Sequence, residues 1–240
     1  LMAADIYLGV EEIDRESILV MRRFDTAGVL GEQSALADWS PDMTVMHDLG
    51  QLAARFHAGS EVCHDIQHVN NIKYVIDSNR ENIDSFREQL GAEAVDAYDG
   101  AMRAAYAAVE ADVLKRFDNG YVRHCHGDLH LGNILIEHGK PVLFDCIEFN
   151  DRLSQIDVLY DLAFLLMDLW VRGYEAAANR VLNVWLEQAS REDASTAART
   201  SSASIRSAIR SAPKNWPRPS TTRSTYPSPI PKTPPASRAP

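Results

Sequence analysis

The chain has 240 residues, 45% of them apolar, and a formal net charge of −10, which is room for one substantial core plus a tail. No run of about 20 apolar residues is present, so no membrane span is expected; the most apolar stretch, Val158 to Trp170, is interrupted by Asp161 and Asp168. No basic segment followed by an apolar one opens the chain, and Cys63, Cys125 and Cys146 form neither a CxxC nor an even-numbered framework. Secretion is therefore not expected, and reduced thiols in the cytoplasm are.

The charge is unevenly spread. From Arg191 to Pro240 there are nine basic residues, two acids and nine of the eleven prolines, leaving the first 190 residues with 15 basic groups against 32 acidic ones. An acidic body attracts cations or metal-bound ligands, although solubility explains the charge equally well.

In chain order, Ile6, Leu8 and Val10 alternate with Tyr7 and Gly9 and predict a strand. A second apolar run, Ile18 to Met21, completes a hairpin. Nothing before it completes a sheet, and two strands alone are marginal in water, so the chain is expected to begin in the middle of a domain. Ser40 and Pro41 predict a helix start, with Met46, Leu49, Leu52, Ala53 and Phe56 at helical spacing up to Gly59. A second helix is expected from Ile72 to Leu90, stopped by Gly91. A third is expected from Ala92 to Phe117, with Val95, Tyr98, Met102, Ala105, Tyr106, Val109 and Val113 on a core face.

The period then changes. Tyr121 to His124, Asn133 to Ile136 and Val142 to Phe144 predict strands, the last two joined by the turn Glu137-His138-Gly139-Lys140. Ile156 to Trp170, apolar almost all round, predicts a buried helix, and Tyr174 to Gln188 a last amphipathic one carrying Trp185. From Arg191 on, Ser, Thr, Arg and Pro without periodicity predict disorder. So abrupt a change also fits a frame-shifted reading frame.

The chemistry concentrates in His126-Gly127-Asp128-Leu129-His130-Leu131-Gly132-Asn133, followed by Val142-Leu143-Phe144-Asp145. Phosphoryl transfer needs a carboxylate to orient the attacking hydroxyl, oxygen ligands for Mg²⁺, and rigid adjacent segments to carry them. In a kinase catalytic loop the base Asp precedes the metal-binding Asn by five positions, the spacing of Asp128 and Asn133. Asp145 stands where the second metal carboxylate follows a hairpin, and oxygen donors suit a hard cation.

These residues resemble the catalytic loop of the aminoglycoside phosphotransferase and choline kinase superfamily. LFDCIEFNDRL with IDVLYDLAFLLMDL resembles a bacterial branch often fused to a P-loop ATPase domain. The resemblance covers roughly residues 5 to 188. It implies an α+β, protein-kinase-like fold in three parts. Residues 1–25 would be a remnant of the N-lobe sheet and hinge, 26–190 the helical C-lobe with its catalytic hairpin, and 191–240 the disordered basic tail. It implies an ATP- and Mg²⁺-dependent transfer of the γ-phosphoryl group to a small-molecule hydroxyl. Asp128 would be the base, and Asn133 and Asp145 the metal ligands. Met21, Arg22 and Arg23 would meet adenine at the hinge, and His126, Asp157 and Asp161 would steady the loop. Glu148 matches an acid of the branch without a firm role. No nucleic acid or membrane partner is implied.

The superfamily also implies a Gly-rich loop, a strand lysine and a helix glutamate ahead of the hinge. No lysine precedes Lys73 in this chain. The second expectation is therefore a truncated, catalytically dead fragment without its N-lobe or ATPase domain, acting at most as a binding module. Such a fragment would expose apolar surface where the N-lobe should pack. A third reading takes His124, His126 and His130 as zinc ligands of a metallohydrolase.

Overall fold

The computed structural model describes residues 6–13 and 16–193. The expected disorder and frame shift of the tail fall on residues almost all of which lie outside the described ones; residues 191–193 still belong to a helix.

Strands β1 (Tyr7–Ile13) and β2 (Glu16–Met21) form the predicted antiparallel hairpin. The alternating apolar residues do not share one buried face. Ile6 is buried, but Leu8 and Val10 are both 65% exposed, and Ile18 and Leu19 are also open to solvent. A short helix α1 (Leu30–Gln33) leads to α2 (Met43–Gly59). The cap of α2 is Asp42, not Ser40: its carboxylate accepts the Thr44 N–H at 2.7 Å, placing Pro41 just outside the helix.

The single helix expected over 72–90 is two, α3 (Asn71–Asp84) and α4 (Arg87–Leu90). The Ser85 hydroxyl donates to the Asn82 carbonyl at the break, a side-chain bond that competes with the helical ladder. Helix α5 (Ala92–Asp118) has the expected length, but of its predicted core face only Val95 and Val113 are buried. Its N-terminal half is instead an arm bound to α3 and α4 by Arg80, Arg87 and Arg103 facing Asp77, Asp84, Asp96 and Asp99.

Strand β3 (Val122–His124) pairs antiparallel with β6 (Gln155–Asp157), an element the apolar pattern merged into the following helix. Between them lies the hairpin β4 (Ile134–Glu137) and β5 (Lys140–Leu143). Its turn has His138 at φ 51° and Gly139 at φ 75°, the left-handed pair that a two-residue hairpin turn requires. Then come α6 (Asp151–Ser154), α7 (Val158–Val171) and α8 (Glu175–Asp193). Helix α7 is not buried all round, since Met167, Trp170 and Val171 reach solvent.

The principal core is the junction of α2, α7, α8 and the loop ahead of β4, built on Leu49, Leu129, Leu131, Leu162, Leu165 and Val181. Each such side chain contributes about 1.5–3 kcal/mol on burial. Exposed ion pairs of the α3–α5 arm contribute about 0–1 kcal/mol each. The packed junction, not the charged arm, therefore holds the loop ahead of β4 in place. A smaller cluster of Ile6, Val29, Leu135 and Phe144 seats the N-terminal hairpin on β4 and β5. The outcome is the mixed α/β, mainly helical architecture expected, and no helix among the described residues is long and apolar enough to cross a membrane.

Candidate active site

The loop after β3 turns at Gly127, whose φ is +82°. A Cβ there would lie 2.9 Å from the Leu153 carbonyl oxygen. Glycine alone supplies both the left-handed turn and the room. Two carboxylates from α7 then grip the loop backbone. Asp161, fully buried, accepts the Gly127 N–H at 2.9 Å on one oxygen and the His126 N–H at 3.2 Å on the other. Seven residues and about two turns later, Asp168 accepts the Leu131 N–H at 2.9 Å and pairs with Arg172 at 2.7 Å. The loop thus lies along one face of α7.

His126 ties the loop to the segment that leads from β5 to Asp145. Its Nε2–H donates to the Phe144 carbonyl at 2.9 Å, and its own carbonyl accepts the Ile147 N–H at 2.9 Å. Burial pushes the His126 pKa down, outweighing the opposing pull of Asp161. The bond to the carbonyl places a proton on Nε2, and the buried Nδ1 has no hydrogen-bond partner among the described residues.

Asp128 follows, half-exposed. Its Oδ2 lies 3.2 Å from the Asn133 amide nitrogen and 3.3 Å from His130 Nε2. The same Asn133 nitrogen donates to the Asp128 carbonyl at 2.9 Å. His130 Nδ1 accepts the Gly132 N–H at 2.9 Å, so the His130 proton is on Nε2 and points at Asp128. A Cβ on Gly132 would stand 2.6 Å from that ring; the histidine needs a glycine two residues on.

Asp145 is brought to the same end of the hairpin by strand register. Ile134 pairs with Leu143, and the Phe144 N–H donates to the Asn133 carbonyl at 3.1 Å. Asp145 is therefore the next residue past Asn133's own partner. It is exposed, with φ at 59°, a left-handed conformation that an L-residue holds at a cost and that clusters at functional positions. The Tyr7 hydroxyl accepts its N–H at 2.6 Å. The structure thus brings Asp128, Asn133 and Asp145 onto one loop and one hairpin. Asn133 Oδ1 and Asp128 Oδ1 accept no hydrogen bond from a described residue. An amide oxygen and a carboxylate are a donor set that fits Mg²⁺.

The remaining expected residues divide. Asp161 meets the loop directly. Asp157 does not: its carboxylate caps α7 through the Leu159 N–H at 2.8 Å and takes a two-pronged bond from Arg116 of α5. A residue at a helix N-terminus faces the first-turn amides, so it fastens α5 to α7 instead of steadying the loop. Met21 packs into the small cluster, and Arg22 donates its N–H to the Ile6 carbonyl at 2.7 Å and pairs with Glu137 at 2.7 Å. Arg23 follows at the end of the same segment. Glu148 lines a cleft of about 570 Å³ together with Tyr7, Phe56, Glu61, His124 and Cys146. Asp128 is not on its wall. Burial first, and nearby carboxylates second, push the thiols of Cys63 and Cys146 up to about 11 and about 12, and raise that of Cys125 well above its ordinary value. None is a ready nucleophile.

The zinc reading fails here. Both nitrogens of His130 and the Nε2 of His126 are engaged in the bonds above, His126 Nδ1 is buried, and with His124 they form no metal-binding group among the described residues. The one trio of suitable atoms there is His57, Cys125 and Asp161, within 4.8 Å of one another. Both nitrogens of His57 are already engaged, and the Cys125 thiol, with its raised pKa, donates to the Ile156 carbonyl at 3.4 Å. Residues that the sequence did not single out for the site are His57, Tyr7 and Asp168. Asp168 alone left a signal, an acid in an apolar run about two helical turns after Asp161.

A family model described as the phosphotransferase enzyme family matches residues 20–198. Uncharacterized protein Rv2004c of Mycobacterium tuberculosis and uncharacterized protein Mb2027c of Mycobacterium bovis are each 29% identical over 184 residues, covering 72% of this chain. The chain spans 36% of the length of each of these relatives.

Proposed function

This chain belongs to the phosphotransferase enzyme family, and on that premise we propose that residues 126–145 are the site of an ATP-dependent phosphoryl transfer to the hydroxyl of a small molecule. The observation that carries the proposal is the mutual restraint of Asp128 and Asn133 on a loop held by Asp161, with Asp145 one step along the β4–β5 ladder. Asn133 and His130 occupy Asp128 Oδ2. That leaves Oδ1 to accept the hydrogen of the acceptor hydroxyl and draw off its proton as the new O–P bond forms. Mg²⁺ held by Asn133 Oδ1 and Asp145 would supply charge neutralisation for the nucleotide phosphates. Met21, Arg22 and Arg23 offer backbone groups for adenine.

Loss of a general base costs typically 10²–10⁴ in rate. In the full-length protein, Asp128→Asn is expected to lose phosphate transfer by that factor while Mg²⁺-ATP still binds. Undiminished turnover would overturn the role. The second reading is a module that binds without transferring. It is motivated by the cleft of about 570 Å³ beside Glu148, whose wall Asp128 does not join. An ATP titration with Mg²⁺, followed by a search for labelled product, separates the two: binding with transfer defeats the second reading.

A further inference from the structure

The buried carboxylate that holds the loop has a partner, and that partner has one of its own on the last helix. Trp185 of α8 is 3% exposed, His57 of α2 is 2% exposed and Asp161 of α7 has no exposure. Trp185 Nε1 lies 3.0 Å from His57 Nδ1, and His57 Nε2 lies 2.9 Å from Asp161 Oδ2. The indole and imidazole rings meet edge-on, with centroids 6.0 Å apart at 71°. Helices α2 and α8 are close enough for this because residue 50 is glycine: a Cβ there would lie 2.7 Å from the Val181 carbonyl oxygen.

The direction of these bonds is forced. An indole N–H donates and cannot accept. His57 Nδ1 must therefore accept, its proton must sit on Nε2, and that proton points at Asp161. With the other tautomer a nitrogen lone pair would face the carboxylate at 2.9 Å. The carboxylate would then turn away, taking with it the oxygen that the His126 N–H uses. An N–H on Nδ1 would also oppose that of Trp185 at 3.0 Å.

We propose that Trp185 is a positioning residue for the loop: by setting the tautomer of His57 it keeps Asp161 facing N–H donors only, and so holds the His126 and Gly127 amides that precede Asp128. The importance of this for turnover rests on the phosphoryl-transfer reading above; the tautomer and the restraint do not.

The test is ¹⁵N-histidine NMR and amide hydrogen exchange on the whole chain, wild type and Trp185→Phe. In the wild type, His57 is expected as a single species protonated on Nε2. Phenylalanine keeps a ring but removes the N–H. In that variant His57 should populate the Nδ1–H form, and the His126 and Gly127 amides should exchange about tenfold faster or more, the worth of one buried hydrogen bond. Amides of α7 beyond Leu162 serve as the internal reference. A wild-type His57 protonated on Nδ1 would overturn the proposal, and it needs no variant. So would a folded Trp185→Phe with tautomer and exchange unchanged. A full-length wild type without phosphate transfer would sink the phosphoryl-transfer reading and leave the NMR outcome standing.

Discussion

Asp161 carries a charge into a site with no exposure, and three N–H groups from His57, His126 and Gly127 meet its two oxygens. An isolated buried carboxylate is costly, and hydrogen bonds to the charged form offset that cost. Asp161→Asn would put an NH₂ against one or two of these donors. Urea denaturation is expected to show a loss of about 3 kcal/mol, the scale of a broken buried charged network. A loss below about 1 kcal/mol would mean that the loop does not depend on this carboxylate. Gly127→Ala is expected to destabilise by more than about 1 kcal/mol, because φ is +82° and the new methyl would meet a backbone carbonyl, which cannot move aside as a side chain can. His126 gives the pH dependence. Its folded pKa lies below the ordinary value of 6.5. As pH falls through 6.5 the unfolded chain takes up a proton that the folded one refuses, so stability declines from there down to the folded pKa and then levels off. Denaturation midpoints at pH 7.5 and 5.5 should show the decline, and His126→Asn should lessen it. At this scale the sequence exposed Asp128, Asn133 and Asp145 through their spacing. It hid His57 and Trp185, because a histidine and a tryptophan on apolar helix faces look like ordinary core.

Helix α7 shows how one element can present function on a single face. Asp157 caps it, Asp161 holds the start of the loop and Asp168 the end. The last two are seven residues apart and so project the same way. The apolar pattern located the helix and flagged two of these acids, but it also absorbed β6 into the helix. Three residues that pair with β3 carry no periodicity of their own. The α3–α4 break was illegible too: it falls at Ser85 and Phe86, which carry no turn signal of the Gly or Pro kind. The Arg116–Asp157 pair joins α5 to α7 where little solvent reaches, with side-chain exposures of 16% and 6%, and Arg116 also covers the Tyr121 ring at 4.3 Å. Arg116→Ala is expected to cost about 3 kcal/mol, since it strands a buried carboxylate. Arg103→Ala, whose partner Asp77 is 55% exposed, should cost less than about 1 kcal/mol. Chemical denaturation of the two variants side by side checks the contrast; equal losses would refute it.

For the molecule as a whole, stability is concentrated where α2, α7 and α8 meet the loop. The N-terminal hairpin is attached by the small Ile6 cluster, the Tyr7–Asp145 bond and the Arg22–Glu137 pair. Two-stranded sheets are marginal alone, and opening of such units precedes global unfolding. Hydrogen exchange should therefore be fast over 7–21 and slowest in α2 and α7; equal protection throughout would contradict this ordering. Tyr7→Phe should raise exchange at the Asp145 amide without moving the midpoint of global unfolding. From the sequence by itself, the motif carried the resemblance to a phosphotransferase family, the helical periods carried the mainly helical class, and the spacing of Asp128, Asn133 and Asp145 marked the candidate site, because each of these is written along one chain. Only the tertiary structure decided what holds them. Asp157 turned to Arg116 and not to the loop, the middle of α5 faced solvent, and a tryptophan on the last helix reached the carboxylate behind the loop. Burial and hydrogen-bond direction are set by which surfaces meet, and linear spacing carries no record of that meeting.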